Sequence, residues 1–195
     1  MRKLALGAVA LAFGALSASA ASAQMKLTSA EVSNGATIKD EQVLNTFTCT
    51  GNNISPSLSW TGAPKDTKSF VITVYDPDAP TGSGWWHWVV INIPPSTTSI
   101  PKNAGDVKAN LMPAGAIQTR TDFGAPSYGG PCPPKGDKPH HYHFTVFAVD
   151  EDKLGFAQND QASAALVGYE LHFHTLAKAS FVGLYGRPAD KKEKK

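Results

Sequence analysis

The chain is poor in the residues and patterns on which most catalytic and metal-binding sites are built. It has two cysteines, Cys49 and Cys132, in 195 residues. Their spacing excludes a zinc knuckle and a redox C-x-x-C pair, and leaves either one disulfide or two buried thiols. There is no H-E-x-x-H pattern, G-x-S-x-G elbow, P-loop or dinucleotide fingerprint, so the chemistries those motifs serve have no sequence basis. No cofactor is expected. A surplus of one charge is also missing. Without the first 23 residues the basic residues fall to 16, matching the 16 acidic ones, so the chain gives no support for nucleic-acid binding. The only long apolar run, from Leu4 to Leu16, is too short to span a bilayer comfortably.

That run has a different explanation. Arg2 and Lys3 precede it, and Ala21-Ser22-Ala23 supplies the A-x-A pattern read by signal peptidase. Residues 1–23 are therefore expected to be a signal peptide, with a mature chain from Gln24 and no stable membrane insertion after cleavage. The protein is expected in the periplasm or outside the cell. Residues 24–195 suit a single domain with a substantial core, ending in a solvated basic tail from Lys191 to Lys195.

What the chain does contain is short extended segments broken by Gly, Pro, Asn and Asp. Val71 to Tyr75, Trp88 to Ile93 and Tyr142 to Val149 are rich in β-branched and aromatic residues and read as strands. Frequent turn signals between them favour an antiparallel, mostly β architecture over repeated βαβ units. Residues 96–140 hold Pro101, Pro113, Pro126, Pro131, Pro133, Pro134 and Pro139 and are expected to wrap the surface as loops. From Ala162 to Tyr185 proline is absent. Leu171, His174, Lys178 and Phe181 fall near helical spacing there, which predicts one or two C-terminal helices over the sheet.

Two motifs carry chemistry. In Asp76-Pro77-Asp78-Ala79-Pro80 the prolines restrict the backbone beside two carboxylates, and His87 follows within Trp85-Trp86-His87-Trp88. A histidine near a carboxylate is favoured in its charged form and donates two hydrogen bonds. The competing reading is a polar turn whose aspartates cap backbone amides. In the second motif, Gly129-Gly130-Pro131-Cys132-Pro133-Pro134 runs into His140-His141-Tyr142-His143. On a strand, His140 and Tyr142 share one face and His141 and His143 the other. His140 and Tyr142 then either form a pocket wall or simply belong to the core. No physiological metal site is expected; stray metal would sit on the His140–His143 run.

These segments are similar to the signatures of the phosphatidylethanolamine-binding protein family, also called Raf kinase inhibitor-like proteins, and most to its bacterial branch. Phe47 to Pro56 resembles an early signature, DPDAP with W-x-H-W the first central motif, and Gly130 to Pro134 with His140-x-Tyr142 the second. His174 to Ala179 and Gly183 to Arg187 resemble the branch's C-terminal helix. The resemblance covers about residues 25–188 and implies a large antiparallel sheet packed on a smaller one, with C-terminal helices beside a small surface pocket. It also implies a pocket wall of Asp76, Asp78, His87, Pro134, His140 and Tyr142, with Tyr185 a further member. In that scheme His87 and His140 donate to an anion, Asp76 and Asp78 orient and charge the imidazoles, Tyr142 adds a hydroxyl and Pro134 shapes the rim. One departure is that His141 stands where the family often has arginine. The function implied is non-enzymatic binding of a small anion or phospholipid headgroup. An interaction module that inhibits a protein partner such as a protease, and a weak hydrolase using His87 or His140 as base, are the competing readings.

Overall fold

The structure is a computed structural model and describes residues 24–190. The proposed signal peptide and the residues from Lys191 onward lie outside the described residues. In chain order the elements are β1 (Lys26–Thr28), β2 (Leu58–Thr61), β3 (Ser69–Asp76), β4 (Trp85–Ile93), β5 (Ser99–Ile100), β6 (Ile117–Gln118), β7 (His140–Val149), α1 (Ala164–His174) and β8 (Thr175–Tyr185). They build an antiparallel five-stranded sheet, ordered β6-β4-β3-β7-β8, and a three-stranded sheet, ordered β1-β2-β5. The chain is mostly β, with one C-terminal helix.

Burial on both faces explains why β3 and β4 read as unbroken apolar runs. Phe70, Ile72, Val74, Trp88 and Val90 pack toward Leu58, Trp60 and Ile100 of the smaller sheet. Val71, Val89 and Ile91 face the other way, onto Val167 and Leu171 of α1. Strand β7 shows the expected alternation. His140, Tyr142, Phe144 and Val146 are buried, while His141 is exposed and His143 half-buried.

The helical expectation for 162–185 holds only in its first half. Ser163 caps α1, its hydroxyl accepting from the Leu166 N–H at 3.2 Å. At the other end the Thr175 hydroxyl and N–H both donate to the Leu171 carbonyl. Beyond it the chain is β8, paired to β7 from Val149↔Thr175 to His140↔Tyr185. Two periods overlap in this stretch. Leu171, His174, Lys178 and Phe181 suit a helix, yet Ala179, Phe181 and Gly183 alternate with Lys178 and Ser180 as a strand requires. Tertiary contacts decide: β7 needs a second partner, Phe181 stacks on Phe144 with centroids 4.9 Å apart, and Gly183 meets Ile38 where a Cβ would approach to 2.7 Å.

Residues 101–139 are mostly irregular, as the prolines predict, with a single 3-10 turn at Val107–Ala109 and the two-residue β6. The Cys49–Cys132 disulfide is formed, with Cα atoms 6.0 Å apart. It joins this loop region to the residues just after Phe47.

Candidate functional site

One end of the larger sheet opens into a cavity of about 280 Å³. Three strands deliver its floor. Asp76 is the last residue of β3, His140 the first of β7, and Tyr142 lies two residues on, pointing to the same face. His87 arrives by an irregularity. Tyr75 pairs with Trp86 and Val74 with Trp88, which leaves His87 as an extra, unpaired residue on β4. A bulge of this kind re-aims a side chain. Here it turns His87 edge-on to Tyr142, with ring centroids 5.1 Å apart.

The loops supply the rim. Gly129 and Gly130 run so close to their neighbours that side chains have no room. A Cβ on Gly130 would lie 2.1 Å from the Gln42 carbonyl oxygen, and one on Gly129 would lie 2.3 Å from the Phe123 ring. That tight path brings the Gly129 carbonyl to His87 and carries Cys132, Pro133 and Pro134 to the cavity lip. Opposite, Phe47 and Thr48 both hold left-handed backbone angles, φ 51° and 68°, which is costly for a phenylalanine and a β-branched threonine. The result is a Phe47 ring that is 68% exposed at the rim, 6.0 Å from the Phe123 ring. Arg187 fixes both lips, donating from Nε to the Pro133 carbonyl at 2.6 Å and from Nη1 to the Thr48 carbonyl at 3.1 Å.

The polar groups are unequal. His140 Nδ1 donates to Asp76 Oδ2 at 2.8 Å, and both side chains are buried. Its Nε2 lies 3.5 Å from the half-exposed Asp137 carboxylate. His87 Nδ1 meets the Gly129 carbonyl at 2.7 Å, and because a carbonyl only accepts, Nδ1 must carry the proton. Burial pushes the His87 pKa down from 6.5 to about 4, outweighing the opposite pull of the Gly129 carbonyl and Asp76. The ring is neutral near pH 7 and its Nε2 is an acceptor. The charged, donating His87 expected from the motif is therefore replaced by a neutral one whose single N–H is already spent. Burial, reinforced by Asp76, raises the Tyr142 pKa far above the ordinary tyrosine value, so this group remains a hydroxyl.

Two donors stand out. Trp85 and Tyr142 line the cavity, and their indole N–H and hydroxyl are buried and meet no hydrogen-bond partner within the protein. Asp76 lies close enough to influence Tyr142, but not in hydrogen-bonding geometry with it.

Of the seven residues implicated by the motifs, Asp76, His87, Pro134, His140 and Tyr142 come together around the cavity. Asp78 and Tyr185 do not line it. Asp78 Oδ2 accepts from both the backbone N–H and Nδ1 of His141, at 2.8 and 2.7 Å, on the solvent side of the strand. Burial raises the Asp78 pKa, the two His141 hydrogen bonds lower it, and the net shift is downward. The position where His141 stands in for arginine is thus outside the cavity. Tyr185 faces a neighbouring depression with Asp40, Lys135 and Arg187. Trp85, Phe47 and Phe123 went unassigned in the sequence. Trp85, two residues before His87 on one strand, shares its face and was within reach of the sequence, whereas Phe47 and Phe123 reach the cavity only through loop folding.

Fold and site together define a two-sheet β protein of binding type, with a small His/Asp cavity at one end of its larger sheet. The chain belongs to the phosphatidylethanolamine-binding protein family, whose model matches residues 28–186. It is 50% identical to UPF0098 protein YbcL of Escherichia coli over 175 residues, covering 90% of this chain and 93% of that one. With UPF0098 protein YbhB of the same organism the identity is 48%, covering 83% and 99%. The crystal structure of E. coli YbcL superposes with a TM-score of 0.81 at 49% identity, covering 84% of this chain and 99% of that one. A homologue from Chlamydia trachomatis gives a TM-score of 0.70 at 30% identity, covering 85% and 99%.

Proposed function

We propose that the cavity binds a small oxyanion of the phosphate or carboxylate class, free or carried on a phospholipid headgroup, without catalysing its conversion. The observation that carries this reading is the pair of unpartnered buried donors, Trp85 Nε1 and Tyr142 Oη, in a cavity that also holds His140. An unsatisfied buried donor costs about 1–3 kcal/mol, and a ligand oxygen removes that cost at both positions. Neutral His87 complements the donors: its Nε2 accepts from a protonated phosphate oxygen or from an ammonium group. With so few contacts, binding is expected in the millimolar to micromolar range.

Hydrolysis is disfavoured by the state of the candidate nucleophiles. Among the lining residues, the Thr81 hydroxyl is spent on the Gly84 carbonyl at 2.6 Å and Cys132 is in the disulfide. The Tyr142 hydroxyl is kept protonated by burial, so no activated side-chain nucleophile stands beside the Asp76–His140 pair. Residues 1–23 are read as an export signal, and a structural disulfide suits the oxidising compartment such a signal leads to.

An NMR titration with phosphate, phosphoethanolamine and acetate tests this reading, following indole and imidazole side-chain signals. The expected result is a saturable shift of the Trp85 indole proton, weakened in Tyr142→Phe by roughly five- to tenfold, the worth of one hydrogen bond. If no indole or imidazole signal moves with any of the three anions, the cavity is a structural feature and the reading is wrong.

A further inference from the structure

The geometry points to a second site, for a divalent transition-metal ion such as zinc, at the far end of β7. Its ligands are Asp150, Glu151 and His174, with Glu170 behind the histidine. Asp150 and Glu151 follow β7 directly, and His174 is the last residue of α1. One nitrogen or oxygen donor from each converges within 4.8 Å of the others. In the structure His174 Nδ1 donates to Asp150 Oδ1 at 3.0 Å and lies 3.9 Å from Glu151 Oε1; a bound ion would take the place of the Nδ1 proton. Bonds of roughly 2.0–2.2 Å to a common ion place neighbouring ligand atoms about 3–4 Å apart. Mixed imidazole and carboxylate donors suit zinc and its neighbours, and suit magnesium or calcium poorly.

An independent observation comes from Glu170. Its carboxylate is buried, the side chain only 5% exposed, and its one hydrogen bond is a long 3.4 Å contact from the Phe156 N–H to Oε1. Oε2 has no hydrogen bond and lies 3.9 Å from His174 Nε2, on the side of the ring away from Asp150. Among the described residues the one cationic group paired with Glu170, Asp150 and Glu151 is His174, a single imidazole for three carboxylates. A buried carboxylate left this way calls for positive charge nearby. Glu170 Oε2, 3.9 Å from Nε2, favours the His174 tautomer with its proton on Nε2, which would leave the Nδ1 lone pair facing Asp150 and Glu151. This carboxylate–histidine–metal relay orients imidazole ligands in metal sites generally. The negative end of the α1 dipole adds a further attraction for a cation. Bound there, the ion would clip the turn after β7 to the α1–β8 junction. Asp150 and Glu151 are adjacent and Glu170 and His174 lie one helical turn apart, but only the fold brings the two pairs together.

Calorimetric titration of the purified, tag-free, chelator-stripped protein with zinc tests the assignment. One equivalent should bind, roughly ten- to a hundredfold more weakly in His174→Gln and in Glu170→Gln. Asp150→Asn, an isosteric change at a half-buried position, should weaken binding as well, with the melting temperature measured alongside. A His141→Gln, His143→Gln double variant should bind as the parent does. No saturable uptake, uptake indifferent to His174→Gln and Asp150→Asn, or uptake lost with His141 and His143 would each overturn it.

Discussion

His87 is the residue whose chemical state the fold controls most tightly. It is buried, bulged out of register and committed through Nδ1 to the Gly129 carbonyl. Its folded pKa of about 4 lies below the unpaired value of 6.5, so between those limits the unfolded chain binds more protons than the folded one. Stability from keeping His87 neutral is therefore complete above pH 6.5, declines as pH falls toward 4, and changes no further below. The loss is on the order of 3 kcal/mol. Melting profiles of parent and His87→Gln across this range should converge as pH drops; parallel profiles would contradict the account. The motif showed where His87 would lie but not its charge, because burial is a property of what closes over the ring. His140 and Tyr142 were more legible, since two-residue spacing along one strand fixes their shared face. The family motif places Asp78 in the pocket wall beside Asp76, whereas the structure turns it to the solvent side. Which residue it meets, His141, depends on how β3 and β7 pair.

Among the elements, the two loops that form the rim are the least legible part of the site. Phe47 and Cys132 are 85 residues apart, with the disulfided sulfur 3.4 Å from the Phe47 carbonyl oxygen. The bridge closes a loop of 83 residues, and such a constraint stabilises by about 4 kcal/mol. Arg187 ties the same two loops independently, through Pro133 and Thr48. Replacing both cysteines by alanine should accordingly lower the denaturation midpoint substantially while leaving anion affinity nearly intact. If affinity is lost along with the bridge, the Arg187 clamp is not sufficient. The C-terminal region shows the converse problem. Its sequence carries both a helical and a strand period, and local reading chose the wrong one for Thr175 to Tyr185. Only the vacant edge of β7 and the close approach of Ile38 to Gly183 select the strand.

At the scale of the whole molecule, the architecture explains why the site lies where it does. The larger sheet is covered on one face by the smaller sheet and on the other by α1, so its side chains are committed to packing along most of their length. At the end where β3 stops, β4 bulges and β7 begins, Asp76, His87, His140 and Tyr142 turn inward together. The mostly β, antiparallel character and the family were legible because strand-forming runs and four motifs fall in sequence order. The cavity's unpaired donors were not, since whether a buried N–H or O–H has a partner depends on every loop around it. The central claim is that Trp85 and Tyr142 wait for a ligand oxygen, and one calorimetric comparison addresses it directly. Phosphoethanolamine affinity should fall by roughly tenfold or more from the parent to the Trp85→Phe, Tyr142→Phe double variant, with the melting temperature preserved. Equal affinities in two well-folded proteins would mean that the anion, if it binds, is held elsewhere.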